Sequence, residues 1–310
     1  MTETFRTEIA SDPAPFTGER LTSARGGQVR IEHYHRYLFA RAFCQGRDVL
    51  DVASGEGYGA AQLAQTARDV IGLEFASDAV RGAAANFPRP NLRFAQGDAR
   101  RMPLRDASVD VVVSFETIEH FDGQDAFLAE IRRVMRPDGV CIISTPDRAV
   151  YPPGNPFHTR EFNRDEYLEL LHRYFPHVQL SRQRPMIGSA IVPDNVPAAV
   201  PLLFDHPDAA SFTTSAILPR APYLIAVAGG TPIPPPPFSL MIERDDLDSD
   251  GMALAEALAA VRCGEDALTR AEEALLRAEE ALLRAEEDGA AALRLAREGW
   301  WPRLRRRLAV

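Results

Sequence analysis

Two groups of residues in this 310-residue chain have types and spacings that could do chemistry. The first starts at "VLDVASGEGYGA", residues 49–60, where an apolar run ends in Asp51 and enters Gly55, Gly57 and Gly59. Missing side chains let backbone pass close to a ligand at a strand end. "GEGYGA" satisfies G-x-G-x-x-A, so three readings stand open: a dinucleotide fingerprint, the loop of another nucleotide, or a tight turn. Asp51, four residues before Gly55, could support the loop and approach a cationic or amino-bearing ligand. Glu74 closes the next apolar run 23 residues later and is placed to take both hydroxyls of a ribose. In "QGDARRMPL", Asp98 is placed for an adenine amino group.

The second group carries imidazole and carboxylate, the side chains that remove a proton from a reacting hydroxyl. His158 in "NPFHTREF" is the first candidate base, and Glu119 and His120 in "SFETIEHF" are the others. Each has a plainer reading: His158 bonding backbone in a Pro-rich loop, Glu119 or His120 capping the next helix. Arg160, beside His158, suits a phosphate acceptor. Upstream, "GER" and "HYHRY" read as a helical lid over residues 1–44, with Arg20, His33, Tyr34 and Arg36 able to close over a ligand. Tyr34, Leu38 and Arg41, at helical spacing, equally suit ordinary packing. Cys44, Cys141 and Cys263 are odd in number, far apart and without zinc-type spacing, so neither disulfides nor a metal site is expected.

Alternating apolar runs and helix-like segments position these residues. "DVLDVA", "DVIGLEF", "NLRFAQGD", "VDVVVSFE" and "GVCIISTP" read as strands, with helices at 58–67, 77–86 and 123–135 between them. That alternation predicts βαβ units and a mostly parallel sheet. A Pro-Asp-Gly turn should lead into the fifth strand. Next, "NRDEYLELLHRYF" predicts a helix opened by Asn163 and Glu166 as a capping box, and "HVQLSRQ" and "YLIAVAGG" read as two further strands. The intervening stretch, 185–222, shows no clear element, and a segment so long is either functional or misread.

The C-terminal third has a different grammar. "GGTPIPPPPF" reads as a stiff linker, so the domain should span 45–230 and a Pro-rich and acidic linker 231–251. Over 252–298, Leu268, Leu275 and Leu282 recur with Ala271, Ala278 and Ala285 at a and d spacing, predicting a coiled-coil helix and a homo-oligomer. The tail 299–310, "GWWPRLRRRLAV", suits either a peripheral membrane anchor or a solvated end. Net charge is −9, of which −6 lies between Glu265 and Asp288, so general nucleic-acid binding has little electrostatic support. The first residues lack a basic-then-apolar leader pattern and no long apolar span occurs, which predicts a cytoplasmic protein, with the tail allowing the inner membrane face.

In combination, Asp51, Gly55, Gly57, Glu74, Asp98 and the segment after the fourth strand resemble class I S-adenosylmethionine-dependent methyltransferases, over roughly residues 45–182. The resemblance implies a Rossmann-like α/β fold, a seven-stranded mostly parallel sheet with helices on both faces and an antiparallel seventh strand. It implies S-adenosyl-L-methionine as cofactor, Glu74 on its ribose and Asp98 on its adenine. The glycine loop would carry the methionine moiety, and Phe75, Ala99 and Phe115 would complete the pocket. Ala53 stands where the family often has Gly, which should leave the loop slightly less open. "FTGERLT", "IEHYHRYLFAR", "SFETIEH", "STPD" and "NPFHTREF" further resemble methyltransferases of bacterial cell-surface polysaccharide (O-antigen type) biosynthesis. That implies O-methylation of a sugar hydroxyl or terminal phosphate on a glycan, a lipid-linked precursor or another small-molecule acceptor. Methylation of a secondary metabolite, a cofactor-binding scaffold acting through its coiled coil, and a dehydrogenase are the competing readings.

Overall fold

The computed structural model describes residues 10, 28–186, 203–208, 211–215, 217–241, 277 and 294. The chain divides into two compact units, Met1–Ile242 and Glu243–Val310. Arg20, the tail 299–310 and, apart from Arg277 and Arg294, the predicted coiled coil lie outside the described residues.

The first unit opens with α1 (Gln28–Cys44) and then alternates: β1 (Asp48–Val52), α2 (Tyr58–Leu63), β2 (Asp69–Glu74), α3 (Ser77–Asn86), β3 (Leu92–Gln96), β4 (Val109–Ser114), α4 (Gln124–Val134) and β5 (Met135–Pro146). It closes with α5 (Arg164–His172), β6 (His177–Gln183), the ribbon β7 (Leu203–Asp208) and β8 (Ser211–Ser215), and β9 (Tyr223–Gly229). Seven strands form one sheet in the order β3-β2-β1-β4-β5-β9-β6. β1 to β5 run parallel, while β9, the late "YLIAVA" segment, lies antiparallel between β5 and β6, as the family resemblance implies.

Strand periodicity separates two cores. Val49, Val111, Val113 and Ile142 point to one face with residues of α1 and α2; Leu50, Val112, Cys141 and Ile143 point to the other with α4 and α5. Because both faces are covered, the central strands are nearly continuous apolar runs. Each such buried aliphatic side chain contributes about 1.5–3 kcal/mol. α5 is started by the predicted capping box: Asn163 accepts from the backbone N–H of Asp165 and Glu166, and Glu166 accepts from that of Asn163.

Three expectations change. The Pro-Asp-Gly turn expected at 137–139 falls inside the bounds of β5, in an irregularity where the pairing with β4 passes from Val109–Met135 directly to Val111–Val140. The stretch 185–222 contains the β7–β8 ribbon, whose sequences "LFDHPD" and "SFTTS" carry no regular apolar alternation. The Pro-rich segment after β9 packs back on the unit: Ile233 is buried in the core and Ser239 bonds to His35 at 2.8 Å. The unit therefore runs past residue 230 to Ile242.

Beyond the amino edge of the sheet, Arg68 and Arg136 bridge Asp48 and Asp110. The carboxyl edge is open, and a cavity of about 520 Å³ lies there.

Candidate active site

Parallel strands deliver their carboxyl ends to one edge, so the residues just after β1, β2, β3 and β4 form one wall. After β1 the loop turns sharply, with Ala53, Gly55 and Gly57 at φ of 59°, 57° and 93°. Ala53 adopts a left-handed backbone that glycine takes without cost. At Gly57 a Cβ would also meet Ala83 at 2.7 Å. Ala53 and Gly55 line the cavity, whereas Gly57 packs behind it.

Glu74, at the end of β2, ties the wall together: its carboxylate accepts from the backbone N–H of Gly55 and of Ala76, each at 3.0 Å. It faces the cavity beside Phe75, whose ring is 71% exposed and therefore open to stack on a planar ligand. Asp98 and Ala99 follow β3 on the same wall. Arg100 grips the Asp98 carboxylate through its backbone N–H, Nε and Nη2 at 2.8–3.0 Å, holding it below the usual carboxylate range. Phe115 and Thr117 line the cavity after β4, with Glu116 between them at φ 51°.

Asp51 does not reach the cavity. It is fully buried and accepts weakly from Tyr37 Oη at 3.3 and 3.4 Å. Burial pushes its carboxyl up to about 8, against the hydrogen bond from Tyr37 and helped by the charge of Glu74. The expected contact of Asp51 with a cationic ligand is thus replaced by support of the wall from behind.

Loops after β4 and β5 build the other end. His120 and His158 both line the cavity, with ring centroids 5.0 Å apart. His120 Nδ1 bonds the Phe157 carbonyl at 3.1 Å, and His158 Nδ1 bonds Glu161 at 2.6 Å. Glu119 sits behind them, fully buried, with Oε2 accepting from Thr145 at 3.2 Å. Burial, then the charge of Glu116, pushes its carboxyl well above the usual range. Its backbone carbonyl accepts from the N–H of Thr159 and of Arg160, which fastens the His158 loop to the β4 loop.

Of the predicted lid residues, His33 lines the cavity and accepts or donates to Tyr58 at 3.1 Å; burial and then Arg36 lower its pKa. Tyr34 stacks on Tyr58 in the core. Arg36 is buried behind the cavity, bonded to Gln183 at 2.7 Å and lying over the Tyr223 ring at 4.3 Å. Arg160 lies over Phe162, away from the cavity. α1 is therefore a packed layer with one working edge rather than a separate lid.

Sequence reasoning missed Glu32, Tyr37, Glu116, Tyr151, Asn155 and Tyr223, which also line the cavity. Asn155 and Glu161, three residues either side of His158, were visible in "NPFHTREF" as polar neighbours; Tyr223 and Glu32, joined by a 2.8 Å hydrogen bond across 191 residues, left no local signal.

The cavity fits an elongated nucleoside cofactor. A carboxylate and an exposed aromatic stand at one end, a left-handed backbone loop lies in the middle, and the Ser54 hydroxyl is buried there without a hydrogen-bond partner among the described residues. Residues 50–143 match the family model of the methyltransferase domain. A probable S-adenosylmethionine-dependent methyltransferase of Mycolicibacterium smegmatis is 44% identical over 164 residues, covering 51% of this chain and 63% of the relative. A fatty-acid O-methyltransferase of the same organism is 37% identical over 111 residues, covering 35% and 40%. The chain thus spans less than two thirds of these relatives. The crystal structure of a TehB-like S-adenosylmethionine-dependent methyltransferase from Corynebacterium glutamicum superposes with a TM-score of 0.42 at 18% identity, covering 63% of this chain and 86% of that one. Over residues 50–143 the chain is thus similar to methyltransferase domains, among them that of a probable S-adenosylmethionine-dependent methyltransferase.

Proposed function

We propose that the chain transfers the methyl group of S-adenosylmethionine to an oxygen of a hydroxyl-bearing acceptor, a glycan or its precursor. The observation that carries this reading is the single cavity with Glu74, Phe75 and Asp98 at one end and His120 and His158 at the other. Glu74 would take the ribose hydroxyls, Phe75 and Ala99 would flank the adenine beside Asp98, and the 53–56 backbone would carry the methionine portion. The cofactor supplies an electrophilic methyl carbon on a sulfonium. What these residues do is hold that carbon in line with the acceptor oxygen and keep water out.

A hydroxyl acceptor must lose its proton, and imidazole lone pairs at the far end suit that need. A phosphate acceptor needs arginines instead. Among the described residues, Arg100 is the cavity's arginine and is already paired with Asp98, while Arg36 and Arg160 stand outside; this favours the sugar hydroxyl over the phosphate. A second reading, a fatty-acid or other lipid acceptor, is favoured by the identity to the fatty-acid O-methyltransferase.

The test supplies labelled S-adenosylmethionine with nucleotide sugars, phosphorylated glycans, fatty acids and extracted lipids. Label on a sugar oxygen is expected. Label confined to fatty acids or lipids would replace this reading with the second, and no calorimetric binding of S-adenosylmethionine would overturn both.

A further inference from the structure

Glu119, His120 and His158 each present a ligand atom within 4.8 Å of the others, and two of these residues line the cavity. Three features distinguish this group from a chance meeting of polar side chains. The Phe157 carbonyl can only accept, so His120 Nδ1 carries the proton and Nε2 the lone pair. At His158, Asn155 fixes the tautomer: its Oδ1 accepts from the Phe157 N–H at 3.0 Å, which turns its Nδ2 donor to His158 Nε2 at 2.9 Å. Nε2 is again the lone-pair nitrogen, and Nδ1–H donates to Glu161. Finally, Glu119 Oε1 is fully buried without a hydrogen-bond partner among the described residues, 4.0 Å from His120 Nε2.

Each imidazole donates one N–H to a carbonyl or carboxylate, as metal-bound histidines do, and an ion at His158 Nε2 would take the place of the Asn155 N–H that now occupies its lone pair. An orphaned buried carboxyl oxygen beside them is costly until a partner meets it, and a cation would meet it in the ionised form.

We propose that Glu119, His120 and His158 bind a divalent first-row transition ion at the acceptor end of the cavity. Two imidazoles and one carboxylate match zinc better than magnesium, which prefers oxygen ligands. Three protein ligands leave a coordination position open, and the cavity lies on that side. Bonds of about 2.0–2.2 Å require the ligand atoms to draw together by roughly 1 Å, within the reach of side-chain rotation. An acceptor oxygen would take the open position, where the ion would lower the pKa of its hydroxyl and the proton would leave to solvent, the coordinated imidazoles having no lone pair left to take it. This rests on the reading of that end as the acceptor site. The linear sequence hides the group because 37 residues separate His158 from the Glu119–His120 pair that its loop closes upon.

Tag-free full-length protein, stripped with chelator, would be titrated with Zn²⁺ by calorimetry and its bound metal counted after dialysis. One Zn²⁺ per chain is expected, with affinity weakened at least ~10-fold in Glu119→Gln, His120→Ala and His158→Ala, and also in Glu161→Gln through loss of imidazole orientation. S-adenosylmethionine binding on the same samples reports folding. Wild-type protein that binds S-adenosylmethionine but not Zn²⁺ overturns this inference alone, as does one Zn²⁺ retained by a folded His120→Ala/His158→Ala double variant. Zn²⁺ bound by a chain that fails to bind S-adenosylmethionine overturns the methyltransferase reading alone.

Discussion

At one end of the cavity the wall is made of residues that directly follow β1, β2 and β3, each within a few positions of the strand that holds it. At the other end Glu116, His120, Tyr151, Asn155, His158 and Tyr223 arrive from the loops after β4 and β5 and from the start of β9. The proposed cofactor end is held by backbone: Glu74 is fixed by the N–H groups of Gly55 and Ala76. The proposed acceptor end is held by loop cross-links, the Glu119 carbonyl to Thr159 and Arg160, and His120 to Phe157. Strand ends give a rigid, sequence-local frame that suits one constant ligand. Loops tied across the sheet edge can change without disturbing that frame.

This contrast predicts separable failures. His158→Ala should lower kcat by about 10²-fold or more while leaving S-adenosylmethionine affinity within a factor of a few; equal loss of both in calorimetry and steady-state kinetics would dissolve the distinction between the ends. Glu74→Ala should do the reverse, weakening S-adenosylmethionine by about 10²-fold through loss of two charge-assisted hydrogen bonds to the ribose. An unchanged dissociation constant would remove Glu74 from the cofactor site.

Asp51 tests whether the wall is supported from behind. Its folded pKa of about 8 lies above the unfolded value of about 3.9, so its contribution to stability is complete below pH 4 and is lost as pH rises towards 8, at up to about 1.4 kcal/mol per unit. Asp51→Asn keeps the shape without the charge. In urea melts its advantage over wild type should grow from pH 5 to pH 7, and parallel curves would show that Asp51 is not buried as a carboxyl. Gly59→Ala places a Cβ inside the Tyr37 ring, the donor to Asp51, and should cost about 1–3 kcal/mol in thermal melts. A higher melting temperature from the better helix former would argue against that contact. Smallest is Asn163→Ala, which removes the α5 cap outside the cavity lining: about 1 kcal/mol of stability, with kcat and cofactor affinity unmoved in the same assays.

Much of the wall proposed for the cofactor was legible as a row of strand-end residues because its signals are local. A glycine run after an apolar strand, and an acid at the end of each following strand, are readable in windows of a dozen residues, and the seven sheet strands were recognisable as apolar runs. The proposed acceptor end was legible only in pieces. His120 and His158 stood out by type, but their partners Phe157, Glu161 and Asn155 act through hydrogen bonds whose direction a sequence does not display. Arg36 shows the opposite error: an arginine beside histidines looks like a ligand-binding residue, yet here it is a buried pillar between Gln183 and Tyr223.

By itself, then, the sequence determined the alternating strands and helices, the parallel sheet and the carboxyl-edge row Ala53, Gly55, Glu74 and Asp98, because periodicity and turn chemistry act between near neighbours. Only the tertiary structure decided that Asp51 faces Tyr37 rather than a ligand, that Tyr223 closes the cavity from β9, and that Glu119, His120 and His158 meet. Those outcomes depend on which strand lies next to which and on which loop crosses the sheet edge, contacts spanning tens to hundreds of residues that no local pattern encodes.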